Sequence, residues 1–408
     1  MKLAKHTLLI DGNYFLHSRL FVLPRNKVVN KMSDKESQKI LMRKLNIDFA
    51  SEIRKMGPFI DQVVVAVDAK SWRKDLFPEA QYKGTREYDD TIDWEAVFNV
   101  YQEWQKILAT KGVIIHQIDG AEADDVLFGW STLLNNQGKN CIVWTGDRDL
   151  IQLVNYNDAM DSYTLWYYNS SRNLIAFEGF TELLEKEKAD NISNDDLLFN
   201  MSSNEVMHDK MINDLKQWIN KNNVSVEEVD CDTFIFSKIL QGDKSDNIKS
   251  VVTWTKATSK GSIRNYSISE KMSIKVLKQF YKECGDFKID MFFNQDAVNH
   301  ISDIIHRVVK RSTEEEIKVR FNQNIDLMLL HYNTIPEAIQ TEIYKNIEAD
   351  IEQKPEFKNI SKVELILEGT DWAAKKGSGA PSGYDPFAGL EKSKSKKVTE
   401  NKDINKLF

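Results

Sequence analysis

One short stretch, Cys141-Ile142-Val143-Trp144-Thr145-Gly146-Asp147-Arg148-Asp149, joins a run of apolar residues to a pair of aspartates. The run up to Thr145 is short and rich in β-branched and aromatic residues, which predicts a buried strand. The same arrangement occurs where Thr7–Ile10 precedes Asp11 and where Val63–Val67 precedes Asp68. Helical patterns separate these strands. The alternation predicts an α/β domain with a mostly parallel central sheet flanked by helices.

Acidic residues follow the predicted strands. A fourth strand, Val113–Ile118, leads into Glu122-Ala123-Asp124-Asp125, and the carboxyl ends of parallel strands share one edge of a sheet. Any single aspartate there can be a turn residue or a helix N-cap, and the helix dipole alone explains Asp124 and Asp125. Five or more carboxylates that converge on one edge without matching numbers of Lys or Arg in the same motifs would repel one another, however, and would need protons or a cation.

The chemistry of these motifs indicates which cation is expected. Carboxylate oxygens suit magnesium or manganese, and no histidine or cysteine lies inside the motifs, which argues against zinc. The three cysteines lie far apart and form no CxxC pair. We therefore expect Mg²⁺ at this edge of the sheet, with Mn²⁺ as a substitute.

A later acidic motif precedes a basic segment. Asp243 and Asp246 lie three residues apart, so both can face one side of a turn that leads into a helix. Between Lys244 and Lys282 there are nine basic residues and two acidic ones, although the whole chain has a net charge of −7. This asymmetry predicts a surface for a phosphate backbone beside the acidic edge.

The 408 residues are expected to form more than one folding unit. The clearest helical pattern runs from Asp93 to Leu108. The predicted regions are an α/β core (1–242), a basic helical region (243–368) and a flexible, disordered tail (369–408). Within the core, residues 69–91 form an unusually long polar connection of a kind that is often functional, and residues 180–230 form a polar insertion.

No apolar stretch is long enough to cross a membrane, and the apolar run before Asp11 is too short for a signal peptide. We expect a cytoplasmic protein.

The motifs, in this order and spacing, resemble those of the flap endonuclease and 5′→3′ exonuclease family, a group of PIN-like nucleases. The resemblance extends from about Leu8 to Leu277 and rests on Leu9-Ile10-Asp11-Gly12, Val67-Asp68, Tyr82-Lys83-Gly84-Thr85-Arg86, Glu122-Ala123-Asp124-Asp125, Thr145-Gly146-Asp147-Arg148-Asp149 and Gly242-Asp243-Lys244-Ser245-Asp246-Asn247. The ribonuclease H branch of tailed bacteriophages, which removes RNA primers, is most similar, through the segments Asp68–Asp75 and Asp93-Trp94-Glu95.

The resemblance implies a structure-specific 5′ nuclease that hydrolyses phosphodiester bonds with two metal ions during DNA replication. It implies a first metal held by Asp11, Asp68, Glu122 and Asp124, and a second held by Asp147, Asp149 and Asp243, with Asp125 and Asp246 acting directly or through water. Lys83 and Arg86 match the basic pair of the family's helical arch, which would contact the scissile phosphate.

In the family, the motif that corresponds to Gly242–Asn247 is followed by a helix–hairpin–helix element, which binds duplex phosphates and often holds a potassium ion. Here Ser267–Ser273 stands where the family often has a Gly-x-Gly turn, and the loss of both glycines argues against K⁺. The duplex-binding candidates are Lys244, Lys256, Lys260, Arg264, Lys271 and Lys275.

The expected partners are DNA and RNA–DNA duplexes with 5′ ends or flaps, and the expected state is a monomer that contacts no membrane. The resemblance implies a further partner, a sliding clamp or a single-strand-binding protein, that would dock on the tail. If the chain comes from a phage, the expected location is the host cytoplasm. Two other classes stay open. One is a single-strand ribonuclease of the PIN type, and the other is a non-catalytic replication scaffold that binds DNA.

Overall fold

The computed structural model describes residues 6–76, 82–84, 89–186, 203–257 and 262–353. Several predictions fall outside these ranges and are not tested by the structure. They concern Arg86 of the arch pair, Lys260 of the basic segment, and the tail 369–408.

Four adjacent parallel strands form one side of the sheet. In chain order these are β1 (His6–Asp11), β2 (Ile60–Val67), β3 (Ile114–Gln117) and β4 (Cys141–Trp144). Their order across the sheet is β3-β2-β1-β4, and Leu9 of β1 pairs with Val64 on one side and Val143 on the other. Every residue of β1 is buried, as expected for a strand covered on both faces. The predicted strands and the parallel sheet are therefore confirmed.

The sheet continues beyond β4 with strands of mixed direction. These are β5 (Asn155–Asn157), β6 (Ser162–Tyr168), β7 (Asn173–Ala176) and β8 (Ser225–Glu228). Strand β6 is parallel to β4, β5 and β7 are each antiparallel to β6, and β8 is parallel to β7. The sheet is thus mostly, but not wholly, parallel.

Helices cover both faces of the sheet, and the alternation along β1 separates two cores. Leu8 and Ile10 belong to the core under α1 (Gly12–Leu20), α2 (Lys35–Met56) and α4 (Trp94–Ala109). Leu9 belongs to the core under α5 (Ala123–Asn136). Helix α4 is the predicted Asp93–Leu108 helix, and the Asp93 carboxylate caps it by accepting the Ala96 N–H at 3.0 Å.

Shorter helical segments complete the list of elements before the C-terminal region. They are a 3₁₀ turn (Val29–Lys31), α3 (Arg73–Leu76), a 3₁₀ helix (Arg148–Leu153), α6 (Phe180–Lys186) and α7 (Ser203–Asn222).

Helix α7 and strand β8 lie in the stretch that the sequence predicts as an insertion. Leu215 and Trp218 of α7 are buried in the same core as Ile10, and the Trp218 ring lies 5.4 Å from Phe59 and 5.0 Å from Tyr167 between centroids. The described part of the insertion therefore supplies a helix and an edge strand to the α/β domain. The apolar residues of α7 recur at helical spacing but are outnumbered by polar ones, so the composition of the segment does not reveal the buried face.

The C-terminal region has its own hydrophobic core. Its elements are α8 (Cys231–Gln241), β9 (Thr253–Ala257), β10 (Ile263–Ser267), α9 (Glu270–Cys284), a 3₁₀ turn (Ile289–Phe293), α10 (Gln295–Val309) and α11 (Glu314–Met328). Phe236 and Leu240 already belong to this core, so it begins before the predicted boundary at residue 242.

The basic region is not wholly helical, which corrects the sequence prediction. Strands β9 and β10 form an antiparallel ribbon in which Tyr266 pairs with Trp254 and their rings stack 5.8 Å apart. The predicted turn at Ser267–Ser273 is the end of β10 followed by the start of α9, with Ser269 in the N-cap position.

A last helix, α12 (Glu337–Gln353), returns to the α/β domain. Its Ile343 and Ile347 are buried against α5, where a side chain at Gly129 would overlap Ile343. No helix in the described ranges combines the length and apolar character that a membrane span requires.

We expect Trp218→Ala to lower the free energy of unfolding by about 3–5 kcal/mol, because it removes a large side chain packed between two aromatic rings. The exposed Lys221 of the same helix is the control, and Lys221→Ala should change the free energy of unfolding by less than about 0.5 kcal/mol. Urea unfolding measures both. Equal, small effects would show that α7 does not support the core.

Candidate active site

The sheet has one switch point, between β1 and β4, where the order of strands reverses direction. Asp11 ends β1 and Asp147 follows β4 at this point, where α/β sheets bind their ligands. The Thr145 hydroxyl links the two: it donates to Asp11 Oδ2 at 3.0 Å and accepts the Asp147 N–H at 3.0 Å.

Each of these two aspartates also caps a helix. Asp11 Oδ1 accepts the Tyr14 N–H at 2.9 Å, and Asp147 Oδ1 accepts the Asp149 N–H at 2.9 Å. Gly146 stands between the strand and Asp147, and a side chain at this position would overlap the ring and hydroxyl of Tyr14. The local backbone therefore fixes both carboxylates at the sheet edge.

Asp68 joins the beginnings of two helices. Its Oδ2 accepts the Asn13 amide at 2.6 Å, and its Oδ1 accepts the Ala123 N–H at 2.7 Å. Since Ala123 opens α5, this bond places Asp68 beside Glu122 and Asp124.

Glu122 is held by three side chains from residues 69–91. Lys83 Nζ donates to Glu122 Oε1, while the Tyr82 hydroxyl at 2.9 Å and Arg73 Nη1 at 3.2 Å donate to Oε2. Burial alone would raise the pKa of Glu122, but Lys83 and Arg73 lower it to about 2. Glu122 is therefore the strongly ionised member of the group.

Asp125 does not join this group. It is fully buried, with Oδ1 2.7 Å from Arg73 Nη2, and Oδ2 3.0 Å from Arg73 Nη1 and 3.1 Å from Trp72 Nε1. Oδ2 also accepts the Glu122 N–H at 3.0 Å as part of a capping box. These contacts describe a buried ion pair that supports the start of α5, and the role at the metal that the family resemblance implies for Asp125, directly or through water, stays a prediction.

Asp149 and Asp243 are bridged by Lys238, which the sequence did not single out. Lys238 Nζ lies 2.6 Å from Asp149 Oδ1 and 3.1 Å from Asp243 Oδ2. Burial would raise the pKa of Asp243, but Lys238 and the Ser245 hydroxyl and N–H lower it. The position of Lys238 in the last turn of the helix before the Gly242-Asp243 motif is the sequence signal that could have identified it.

Several of the remaining carboxylates repel one another. Burial, reinforced by Asp68 and Asp147, raises the pKa of Asp11 to about 7, against hydrogen bonds from the Tyr14 N–H and Thr145. Burial, together with repulsion by Asp147, raises the pKa of Asp149 to about 7. Burial, together with repulsion by Asp147 and Asp11, raises the pKa of Asp124 well above its usual value. Burial also raises the pKa of Asp68 and Asp147. The edge therefore carries more negative charge than its lysines neutralise.

A cleft of about 520 Å³ is lined by part of this group, namely Asp124, Asp147, Asp149 and Asp243, together with Asp246, Lys83 and Lys238. The Asp246 carbonyl accepts the Lys83 N–H at 2.9 Å, and Lys83 adopts a left-handed backbone conformation with φ of 55°. Among the described residues, no three acidic, histidine or cysteine side chains are arranged to hold one metal ion. Lys83 and Lys238 occupy the carboxylate oxygens of Glu122, Asp149 and Asp243.

The described basic candidates lie on two elements besides the cleft. Lys244 lines the cleft itself, whereas Lys256 and Arg264 are exposed and face each other across the β9–β10 ribbon. Lys271 and Lys275 lie one helical turn apart on the exposed side of α9.

The fold and the cleft together define an α/β domain that gathers carboxylates at the switch point of its sheet. More particularly, residues 6–185 match the family model described as 5′-3′ exonuclease, N-terminal resolvase-like domain. The family resemblance indicated by the sequence motifs is confirmed for this part of the chain.

Known proteins that resemble the chain include the curated 5′-3′ exonuclease of Mycoplasmopsis pulmonis (strain UAB CTIP). The two are 26% identical over 182 residues, which is 44% of this chain and 54% of the relative, so the chain spans about half of that protein's length. Two solved structures are bacteriophage T5 5′-exonuclease with bound zinc (14% identical, 85% of this chain and 99% of the other, TM-score 0.48) and bacteriophage T5 flap endonuclease in a pseudo-enzyme-product complex with DNA and metal ions (16%, 86% and 100%, 0.47).

We expect Asp11→Asn to stabilise the protein in a metal-free buffer. The pKa of the Asp11 carboxyl is about 7 in the folded protein, whereas the ordinary pKa of an aspartate is 3.8, so its ionisation opposes folding increasingly as the pH rises between these values. Asparagine keeps the cap of α1. At pH 8 the variant should gain at least about 1 kcal/mol, or roughly 2–4 °C in melting temperature. The gain should shrink toward pH 4.

The matched control is Asp93→Asn, which changes a helix-capping aspartate at the start of α4. It should produce no comparable gain at pH 8. Thermal melts at both pH values decide the matter, and a destabilised Asp11→Asn variant would contradict the excess of negative charge.

Proposed function

We propose that the protein is a structure-specific 5′ nuclease that hydrolyses phosphodiester bonds in DNA and in RNA–DNA junctions. The observation that carries this proposal is the convergence of Asp11, Asp68, Glu122, Asp124, Asp147, Asp149 and Asp243 on one sheet edge. The family of residues 6–185 and the name of the Mycoplasmopsis pulmonis relative support the 5′→3′ direction.

The donor set suits two hard divalent cations. Every candidate ligand is a carboxylate, and no histidine or cysteine is among the residues that line the cleft. Asp11, Asp68, Glu122 and Asp124 would hold one Mg²⁺, and Asp147, Asp149 and Asp243 the other, with Asp246 acting through water; Mn²⁺ would substitute. Bound ions of this kind supply a hydroxide nucleophile and neutralise charge that develops on the phosphate.

The lysines of the site would act on the substrate's phosphates. Lys83 lies in the cleft, where it is paired with Glu122, and its ammonium would contact the scissile phosphate. Arg86 would serve the same phosphate. Lys238 would keep Asp149 and Asp243 at a fixed separation until they bind the cation.

The basic C-terminal region would hold the duplex. Exposed cations at Lys256, Arg264, Lys271 and Lys275 lie on the ribbon and on α9, and Lys244 connects this surface to the cleft. Since phosphate contacts supply most of the sequence-independent affinity for DNA, this surface would orient the substrate without selecting a sequence. Removal of RNA primers during phage replication, with a clamp or single-strand-binding protein on the tail, remains part of the proposal.

The decisive experiment compares cleavage of a 5′-flap DNA, a nicked RNA–DNA duplex and an unstructured RNA in Mg²⁺. Cleavage of the first two near their 5′ ends is the expected result. Preferential cleavage of the unstructured RNA would instead identify a PIN-type ribonuclease, and DNA binding without cleavage would identify a scaffold.

We expect Asp147→Asn to abolish cleavage of the 5′-flap DNA while its affinity for that DNA stays equal or increases. The substitution removes one proposed ligand and one repelling charge and leaves the basic surface intact. A loss of about 1,000-fold corresponds to roughly 4 kcal/mol of transition-state stabilisation. Single-turnover rates and a filter-binding assay measure the two effects, and cleavage near the wild-type rate would refute the metal assignment.

We expect Lys83→Ala to lower turnover by about 100-fold or more with little change in DNA affinity, because its ammonium acts on the reacting phosphate. Lys271→Ala combined with Lys275→Ala should instead weaken binding and reduce the slope of log affinity against log salt by roughly 1.8, about 0.9 for each phosphate contact. Binding isotherms at several salt concentrations test this division. Equal losses of affinity in both variants would contradict it.

A further inference from the structure

The last two residues of α11 and the two that follow form a corner, Leu327–Leu330, that is bound from two sides by side chains of the α/β domain. We propose that this corner positions both groups of site carboxylates, acting through Arg73 and Gln152, and thereby aligns a duplex held by the C-terminal region with the cleft. The inference rests on the proposed function.

Arg73 connects the corner to the first group of carboxylates. Its side chain is 2% exposed, and Nε donates to the Leu327 carbonyl at 3.1 Å. The same guanidinium binds Glu122 Oε2 and both oxygens of Asp125. Because Arg73 and Tyr82 hold Oε2, the other oxygen of Glu122 is the one that faces Lys83. The planar fork thus fixes which oxygen Glu122 presents.

Gln152 connects the corner to the second group. It belongs to the 3₁₀ helix that begins at Asp147 and contains Asp149. Its amide N–H₂ donates to the Met328 carbonyl at 3.2 Å and to the Asp149 carbonyl at 2.9 Å, and its amide oxygen accepts the Leu330 N–H at 2.8 Å. The backbone of Asp149 and the corner therefore share one side chain.

The corner also contacts the base of the arch and the loop of Asp246. Leu327 packs against Tyr82 and Ile248 in a small buried cluster. Asp246 lies two residues before Ile248 and accepts the Lys83 N–H through its carbonyl. Glu122, Asp149 and the loop of Asp246 therefore each have a neighbour that touches these four residues.

Capping of α11 alone does not explain this arrangement. The last carbonyls of a helix need donors from outside it, and water or any exposed side chain can supply them. Here the donors are a buried guanidinium shared with two carboxylates and an amide shared with the Asp149 backbone. Residues that support metal ligands in this way typically change metal affinity or activity by about 10–100-fold when altered.

The test uses the full-length protein with two variants at the corner. Arg73→Lys keeps the charge and loses the fork, and Gln152→Leu loses all three hydrogen bonds. Arg19→Lys is the matched control for a buried arginine, since Arg19 is 3% exposed and lies 3.4 Å from Asp48. Gln38→Leu is the control for a glutamine that donates to a backbone carbonyl, that of Met32.

Three quantities are measured for each variant: Mn²⁺ affinity by calorimetry, the Mg²⁺ concentration that half-saturates cleavage of 5′-flap DNA, and affinity for that DNA in chelator. Both corner variants should weaken Mn²⁺ binding and raise the half-saturating Mg²⁺ concentration by about tenfold or more. Their DNA affinity should stay within twofold of wild type, and excess Mg²⁺ should restore part of the lost rate. The controls should match wild type.

Wild-type metal affinity and Mg²⁺ dependence in the corner variants, even with a lower melting temperature, would overturn the inference and leave the corner a structural contact. If Arg73→Lys does not fold, Gln152→Leu decides alone. A wild-type protein that binds no Mn²⁺ and cleaves no DNA would refute the proposed function itself, which is a different outcome from altered corner variants of an active enzyme.

Discussion

Electrostatic repulsion among buried carboxylates is the constraint on which the arrangement of the rest depends. Asp11, Asp124, Asp147 and Asp149 are crowded at the switch point of the sheet, where burial and mutual repulsion raise their pKa values. Such a cluster persists only if other parts of the fold hold it together. A protein that served structure alone would gain stability by replacing these groups, which is the physical reason to associate them with chemistry.

Each acidic residue is held in place by backbone geometry that the same residue helps to build. Asp11 caps α1, Asp147 caps the following 3₁₀ helix, and Glu122 opens α5 in a capping box. At these positions the same residue therefore both begins a helix and supplies a candidate metal ligand. At Asp147, for example, the N–H of Asp149 fixes the Oδ1 atom.

Cations from distant parts of the chain balance the cluster. Arg73 and Lys83 come from the connection after β2, and Lys238 comes from α8 of the C-terminal region. They divide the carboxylates into a strongly ionised set, represented by Glu122, and a set with raised pKa values, represented by Asp11. The C-terminal region thus contributes to the site itself as well as to the basic surface beside it.

The sequence by itself determined the four central strands, the α4 helix and the acidic edge, because these depend on local patterns of short range. An apolar run before an aspartate predicts a buried strand wherever it occurs, and parallel strands place their ends on the same edge. The family of residues 6–185 followed from the same motifs.

Only the tertiary structure decided which charges meet. The pairing of Lys238 with Asp149 joins residues far apart in the chain, and the contact of Arg73 with Leu327 spans 254 residues. The tertiary structure also separated Asp125 from its neighbour Asp124, although both belong to one sequence motif. Asp125 is bound to Arg73, whereas Asp124 lines the cleft. The attachment of α7 to the core also escaped the sequence, because Trp218 packs against the distant Phe59. The ribbon β9–β10, which pairs two nearby strands within the basic segment, was predicted as helical instead.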